Sequence, residues 1–137
     1  MGVIWSVFPL EDRMKSWLDK IGIAYPDMSS RLPTGREIKD VLASLPSHNV
    51  DISEKGVGRP WQASIQKVST STGEYDGTEW TSLEIIKYSG DDIEQDFYFS
   101  KGWETLIILI LKNLAVQTGP LVLLPDTGEN PTVICPN

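Results

Sequence analysis

The triplet Asp126-Thr127-Gly128 is the clearest short motif with a chemical meaning in this sequence. It follows an apolar segment, as the Asp-Thr-Gly of aspartic proteases does, and in that class two such aspartates share one proton. A single copy would need a homodimer to supply the second aspartate, and Pro125 interrupts the segment before it. Aspartate, glycine and a preceding proline are also typical of a tight turn. The turn is the favoured interpretation.

Other chemical groups are sparse. Cys135 is the only cysteine, so the chain cannot form an internal disulfide. His48 is the only histidine, and these two residues are too few for a zinc site. No Gly-x-Ser-x-Gly elbow is present, and the glycines at Gly56 and Gly58 lack the lysine of a phosphate loop. The sequence therefore predicts no catalytic residue, no cofactor and no metal. An enzyme with an unrecognised site near His48 or Asp126 is kept as an alternative.

Acidic residues are concentrated in the middle of the chain. Between residues 74 and 96, Lys87 alone opposes eight acids: Glu74, Asp76, Glu79, Glu84, Asp91, Asp92, Glu94 and Asp96. Their spacing is not that of an EF-hand calcium loop. With a net charge of −7 over 137 residues, the chain is not expected to bind nucleic acid or an anionic membrane, since both attract positive charge. A charged partner should be a basic protein.

The acidic residues need strands to position them. Alternating residues predict strands from Trp61 to Gln66, from Thr78 to Tyr88 and from Ile93 to Phe99. Adjacent strands would join the acids into one field with aromatic residues between them, which favours encounter with a basic partner. The same charges could also serve only to keep a sheet face soluble. The candidate partner-binding residues are Trp61, Trp80, Glu84, Tyr88, Asp91, Asp92, Glu94, Asp96 and Tyr98.

Two tryptophans are favoured as interface anchors. Trp61 begins its strand and is expected to be exposed, and Trp80 shares the outward face of its strand with Tyr88. Trp17 and Trp103 fall at helix positions and are expected in the core. Buried aromatic anchors supply much of the binding energy at protein interfaces.

Three helices complete the prediction. Apolar spacing indicates one from residue 10 to 21, and Thr34 and Glu37 form a capping box for a second. The third, from Ser100 to about Thr118, is apolar on most of its surface and should pack across the sheet. With a first strand at residues 3–8 and a final hairpin, the chain is predicted to be a single α+β domain over residues 1–137. Its mostly antiparallel sheet should have five or six strands.

Three stretches suggest a family: Leu32-Pro33-Thr34-Gly35-Arg36-Glu37-Ile38, Gly102-Trp103-Glu104-Thr105-Leu106, and Gly119-Pro120 through the turn at residues 126–128. Together they resemble the small cytoplasmic immunity proteins of bacterial polymorphic-toxin and contact-inhibition systems. The resemblance implies tight binding to a toxin domain, often a basic nuclease, and occlusion of its active site. It assigns no residue by position. We expect a cytoplasmic monomer, and an adaptor or assembly subunit is the alternative binding function.

Overall fold

The computed structural model describes residues 3–46, 48–54, 61–68, 75–86 and 90–136. The elements in chain order are β1 (Ile4–Pro9), α1 (Asp12–Ile21), α2 (Gly35–Ala43), β2 (His48–Glu54), β3 (Trp61–Val68), β4 (Tyr75–Ile85), β5 (Phe97–Ser100), α3 (Glu104–Thr118), β6 (Leu121–Pro125) and β7 (Thr132–Ile134). The predicted α+β class is confirmed. The sheet has seven strands rather than five or six, because β2 forms where the sequence showed only a change of period.

All the described strands belong to one sheet with the order β2-β3-β4-β5-β1-β6-β7. Every neighbouring pair is antiparallel. The first strand is therefore central: it pairs with β5 on one side and with β6 on the other. Because side chains alternate between the two faces of a strand, the register decides which residues reach which face.

Helices α2 and α3 pack on one face of the sheet, which we call the covered face. It carries Trp61, Ala63, Ile65, Leu83 and Phe99, all buried. Helix α3 contributes five buried aliphatic residues to the same core: Leu106, Ile107, Ile110, Leu111 and Leu114. The prediction that an apolar third helix packs on the sheet is confirmed.

The start of α2 and the end of α1 lie where the sequence indicates. Thr34 Oγ1 accepts a hydrogen bond from the Glu37 amide at 3.2 Å, and Glu37 Oε1 accepts one from the Thr34 amide at 2.9 Å. This is the predicted capping box at the start of α2. Helix α1 ends at Gly22, whose φ of 75° is readily adopted only by glycine.

Helix α1 lies on the opposite face, at the β1–β6–β7 end of the sheet. Its Leu18 packs with Leu10 and Val122, and Met14 and Trp17 are half-buried beside them. The same face of β2, β3, β4 and β5 carries side chains that are exposed or half-buried. Within the described part of the chain, this portion of the sheet is thus covered by helices on one side only.

Candidate functional site

The uncovered part of the sheet is a continuous surface on which strand register fixes the positions of the side chains. Across it, Gln62 lies opposite Glu84, Glu84 opposite Tyr98, and Tyr98 opposite Ser6. We call this surface the open face. Its described members are Ile4, Ser6, Phe8, Asn49, Asp51, Ser53, Gln62, Ser64, Gln66, Trp80, Ser82, Glu84, Ile86, Asp96, Tyr98 and Ser100.

Glu84 and Tyr98 form the centre of the open face. They are cross-strand partners on β4 and β5, and both are half-buried. Burial raises the pKa of the Tyr98 phenol first, and the negative charge of Glu84 and a hydrogen bond to it raise this pKa further. A partly desolvated carboxylate beside an aromatic ring is a strong acceptor for a donor on another molecule.

The open face combines negative charge with exposed apolar groups. Asp51, Glu84 and Asp96 are its acids, and none of its described members is a lysine or an arginine. Phe8 is 36% exposed and Ile86 57% exposed on the same surface. Apolar and aromatic groups within a polar rim are typical of protein-binding surfaces.

The open face brings together four of the nine candidate residues, namely Trp80, Glu84, Asp96 and Tyr98. Trp61 is not among them. It is only 3% exposed and lies on the covered face with Ala63 and Ile65, and Lys39 Nζ sits 5.2 Å from its ring centroid. The expectation that Trp61 is exposed is therefore wrong, because odd-numbered residues of β3 point towards the helices.

The segment before β5 is not the continuous strand that the sequence suggested. Residues 90–96 form turns and bends with one isolated bridge between Glu94 and Thr34, and Ile93 is 52% exposed instead of buried with Phe97. The main-chain contacts explain this course. The Gln95 amide donates to the Pro33 carbonyl at 2.8 Å, and the Arg36 amide donates to the Asp91 carbonyl at 2.8 Å. These contacts tie the segment to the start of α2.

As a consequence, Asp91 and Asp92 lie beside α2, and Glu94 is bonded to the main chain before α2 instead of projecting from a strand. Asp92 Oδ1 accepts a hydrogen bond from Arg36 Nε at 3.0 Å, and Asp91 Oδ2 is 3.4 Å from Lys39 Nζ. Glu94 Oε1 accepts a hydrogen bond from the Leu32 amide at 3.0 Å. The single acidic field over Asp91, Asp92, Glu94 and Asp96 is therefore wrong, since basic side chains of α2 pair with the first two.

Of two other aromatic predictions, one is contradicted and one falls outside the described residues. Trp103 is 50% exposed at the N-cap of α3, so its predicted place in the core is wrong. The reason is that α3 begins at Glu104, directly after Trp103, and its buried residues begin at Leu106. Tyr88 lies outside the described residues.

The positions weighed for enzymatic chemistry do not meet. His48 begins β2, where its Nδ1 is 2.6 Å from the Pro46 carbonyl oxygen. Asp126 follows β6, and four strands separate β2 from β6 in the sheet. Asp126 lies in an exposed turn and accepts a hydrogen bond from the Ile4 amide at 3.2 Å. The motif at residues 126–128 is thus a turn, as favoured.

The described residues form neither a metal-binding cluster nor a membrane-spanning helix. Among the described residues, no three or more histidine, cysteine, aspartate or glutamate side chains are grouped so that they could hold a metal ion. The helices formed by these residues are all too short or too polar to traverse a lipid bilayer.

A cavity of about 350 Å³ opens at the end of the open face, between β1, β5 and the segment before α2. Its apolar wall includes Phe8, Leu32 and Ile86, and Glu11 and Asp96 bring carboxylates to it. A second cavity of about 310 Å³ shares Phe8, Pro9 and Glu11 with the first and is otherwise lined by Arg13, Met14 and Trp17 of α1.

Comparison with protein-family models, with curated proteins and with solved structures finds no match.

Sequence reasoning missed several residues of this surface. Asp51 was overlooked because β2 was not assigned as a strand, although Val50 and Ile52 alternate with it. Ile4 and Phe8 were assigned to the first strand, but their exposure depends on α1 covering only one end of the face. The alternation of β1 was visible in the sequence, and the position of α1 was not.

Proposed function

We propose that this chain is an acidic binding protein that neutralises a basic protein partner by covering its functional surface, in the manner of bacterial immunity proteins. The observation that carries the proposal is the composition of the open face. Glu84, Asp96 and Asp51 lie there beside the half-buried rings of Trp80 and Tyr98, and its described members include no basic side chain. Such a surface complements a cationic active-site cleft.

Charge and apolar contact would have separate effects on binding. Negative charge on one face raises the rate of encounter with a basic partner and disfavours acidic ones. Aromatic and aliphatic groups that become buried in the complex slow its dissociation. The exposed Phe8 and Ile86, together with Trp80 and Tyr98, would provide the second effect.

The support beneath the open face favours tight binding. Strands β3, β4 and β5 are backed by the core that Phe97, Phe99, Leu83 and α3 form on the covered face. Because the side chains project from a packed sheet, little conformational entropy is lost when they meet a partner. We include in this proposal a cytoplasmic location, which suits a chain with one cysteine, and a monomer that binds one partner.

Site-specific photo-cross-linking in the native host tests the partner and the surface together. A photoreactive phenylalanine analogue replaces Tyr98 in one variant and Lys112, an exposed residue of α3, in the matched control. We expect position 98 to capture a basic protein domain that position 112 does not. Equal capture at both positions, or capture of an acidic protein by position 98, would contradict the proposal.

Association kinetics with the captured domain then measure the role of charge. Glu84→Gln with Asp96→Asn changes the net charge from −7 to −5, as does the control pair Asp40→Asn with Glu129→Gln, which lies off the open face. Opposite charges about 8 Å apart in water attract by about 0.5 kcal/mol. Two lost carboxylates should therefore slow association about fivefold at low ionic strength.

The salt dependence of the association rate distinguishes lost electrostatic attraction from lost shape complementarity. Screening acts over about 30 Å at 0.01 M salt and about 3 Å at 1 M, so the difference between the open-face pair and wild type should nearly vanish at high salt. The control pair should associate at close to the wild-type rate throughout. Identical rates for the two pairs at low salt would remove the acidic surface from the mechanism.

A further inference from the structure

The cavity at the end of the open face has the size of a site for one side chain. Its volume of about 350 Å³ lies at the lower end of the range of about 300–1,000 Å³ found for small-molecule pockets. Both apolar side chains and acidic residues line it. We propose that it receives a single arginine side chain of the basic partner, an inference that rests on the proposed function.

The apolar wall suits the stem of such a side chain. Phe8 and Ile86 are exposed and Leu32 is half-buried at the cavity. Long basic side chains bury their methylene groups against apolar surface while the charged head stays in a polar setting. A guanidinium group also stacks on aromatic rings, which a lysine ammonium does less well.

The carboxylates at the cavity come from two segments that are distant in sequence. Glu11 precedes α1, Glu94 lies in the segment before β5, and Asp96 leads into β5. Glu94 Oε1 already accepts a hydrogen bond from the Leu32 amide. The other two carboxylates are exposed and would form charge-assisted hydrogen bonds to a guanidinium group.

Glu11 has an unusual place that supports this use. It is the N-cap residue of α1, yet its side chain makes no capping hydrogen bond to the helix. Asparagine, aspartate, serine and threonine are the side chains preferred at that position. Glu11 is exposed and lines this cavity and the neighbouring one.

The neighbouring cavity provides an internal contrast. It shares Phe8, Pro9 and Glu11 with the first cavity, but Arg13 lines it as well. Arg13 offsets the charge of the shared Glu11 there, whereas the lining of the first cavity contains Glu11, Glu94 and Asp96 and no lysine or arginine. Charge therefore selects between two adjacent cavities of similar size.

A titration with blocked amino acids tests the assignment directly. The probes are N-acetyl-arginine methylamide, the citrulline analogue of equal shape without charge, and the lysine analogue, each followed by amide chemical shifts at low salt. We expect saturable shifts at Phe8, Ile86 and Asp96 with arginine in the millimolar range. The citrulline analogue should bind at least tenfold more weakly, and the lysine analogue several-fold more weakly.

Variants locate the binding. Glu11→Gln and Asp96→Asn should each weaken arginine binding several-fold, while Asp51→Asn, which removes an open-face carboxylate from distant β2, should leave it unchanged. Unchanged amide spectra outside the cavity will show that each variant is folded. Equal binding of citrulline, equal binding of lysine, or an equal loss with Asp51→Asn would each overturn the inference.

The two proposals can fail separately. If arginine does not bind but the open-face pair still slows association in a salt-dependent way, the cavity assignment is wrong and the proposed function stands. If arginine does not bind and association is also unaffected, both are wrong.

Discussion

Replacement of Glu37 by glutamine tests how much the Glu37 carboxylate, through its contacts with Arg31 and Thr34, stabilises the start of α2. The Glu37 carboxylate accepts hydrogen bonds from Arg31 Nη1 at 2.6 Å and Nη2 at 2.8 Å, and from the Thr34 amide at 2.9 Å. Its side chain is 16% exposed. Arg31, foremost by its hydrogen bonds, lowers the pKa of Glu37 from 4.5 to about 2. Glutamine keeps the shape but removes the charge.

The size and pH dependence of the effect follow from this pKa. A carboxyl whose pKa falls from 4.5 to about 2 on folding contributes at most about 3 kcal/mol to the free energy of unfolding. Solvent screens the ion pair because Arg31 is 42% exposed, and glutamine retains some of the hydrogen bonds. We therefore expect Glu37→Gln to lower the free energy of unfolding by about 1–2 kcal/mol at neutral pH. The folded-state pKa is the lower one, so this stability is complete above 4.5 and is lost as the pH falls towards 2.

Urea denaturation followed by tryptophan fluorescence measures the difference between Glu37→Gln and wild type. The difference should be largest at neutral pH and should shrink to roughly half near pH 3. Asp40→Asn, on an exposed position of the same helix, is the matched control and should cost less than about 0.5 kcal/mol. A difference that does not change with pH, or an equal loss in Asp40→Asn, would refute the reasoning.

Two further comparisons test the packing. A Cβ on Gly102 would lie 2.3 Å from the Trp80 carbonyl oxygen, whereas one on Gly128 meets open space, and both glycines have positive φ. Thermal and urea denaturation should therefore show that Gly102→Ala costs several times more than the roughly 1 kcal/mol expected for Gly128→Ala. Trp61→Ala should cost about 3–5 kcal/mol and Trp103→Ala less than about 1 kcal/mol; equal losses would contradict the burial of Trp61.

The parts of the fold that local patterns encode were predictable. The capping box at Thr34, the glycine stop at Gly22 and the apolar sequence of α3 each act within a few residues of the chain. The apolar residues of α3 cover most of its surface, and only a helix buried between other elements tolerates that pattern. Strand periodicity likewise identified β3 and β4, whose inward residues alternate with polar ones.

The acidic surface was only partly predictable because it depends on contacts distant in sequence. Glu94 and Asp96 alternate as if on one strand, yet the bond between the Gln95 amide and the Pro33 carbonyl holds that segment against α2. No local pattern encodes this contact. Trp61 shows the same difficulty at a strand end, where a shift of one residue reverses the face that a side chain occupies.

The position of β1 affects the order in which the protein can assemble. Its Trp5 pairs with Phe99 and Pro125, residues that leave the ribosome long after it. Until then β1 has neither of its sheet neighbours, whereas β2, β3 and β4 follow one another and can pair as they emerge. Closing such distant pairings is slow. The middle of the sheet is therefore completed last, when the late-made β5 and β6 enclose the earliest strand.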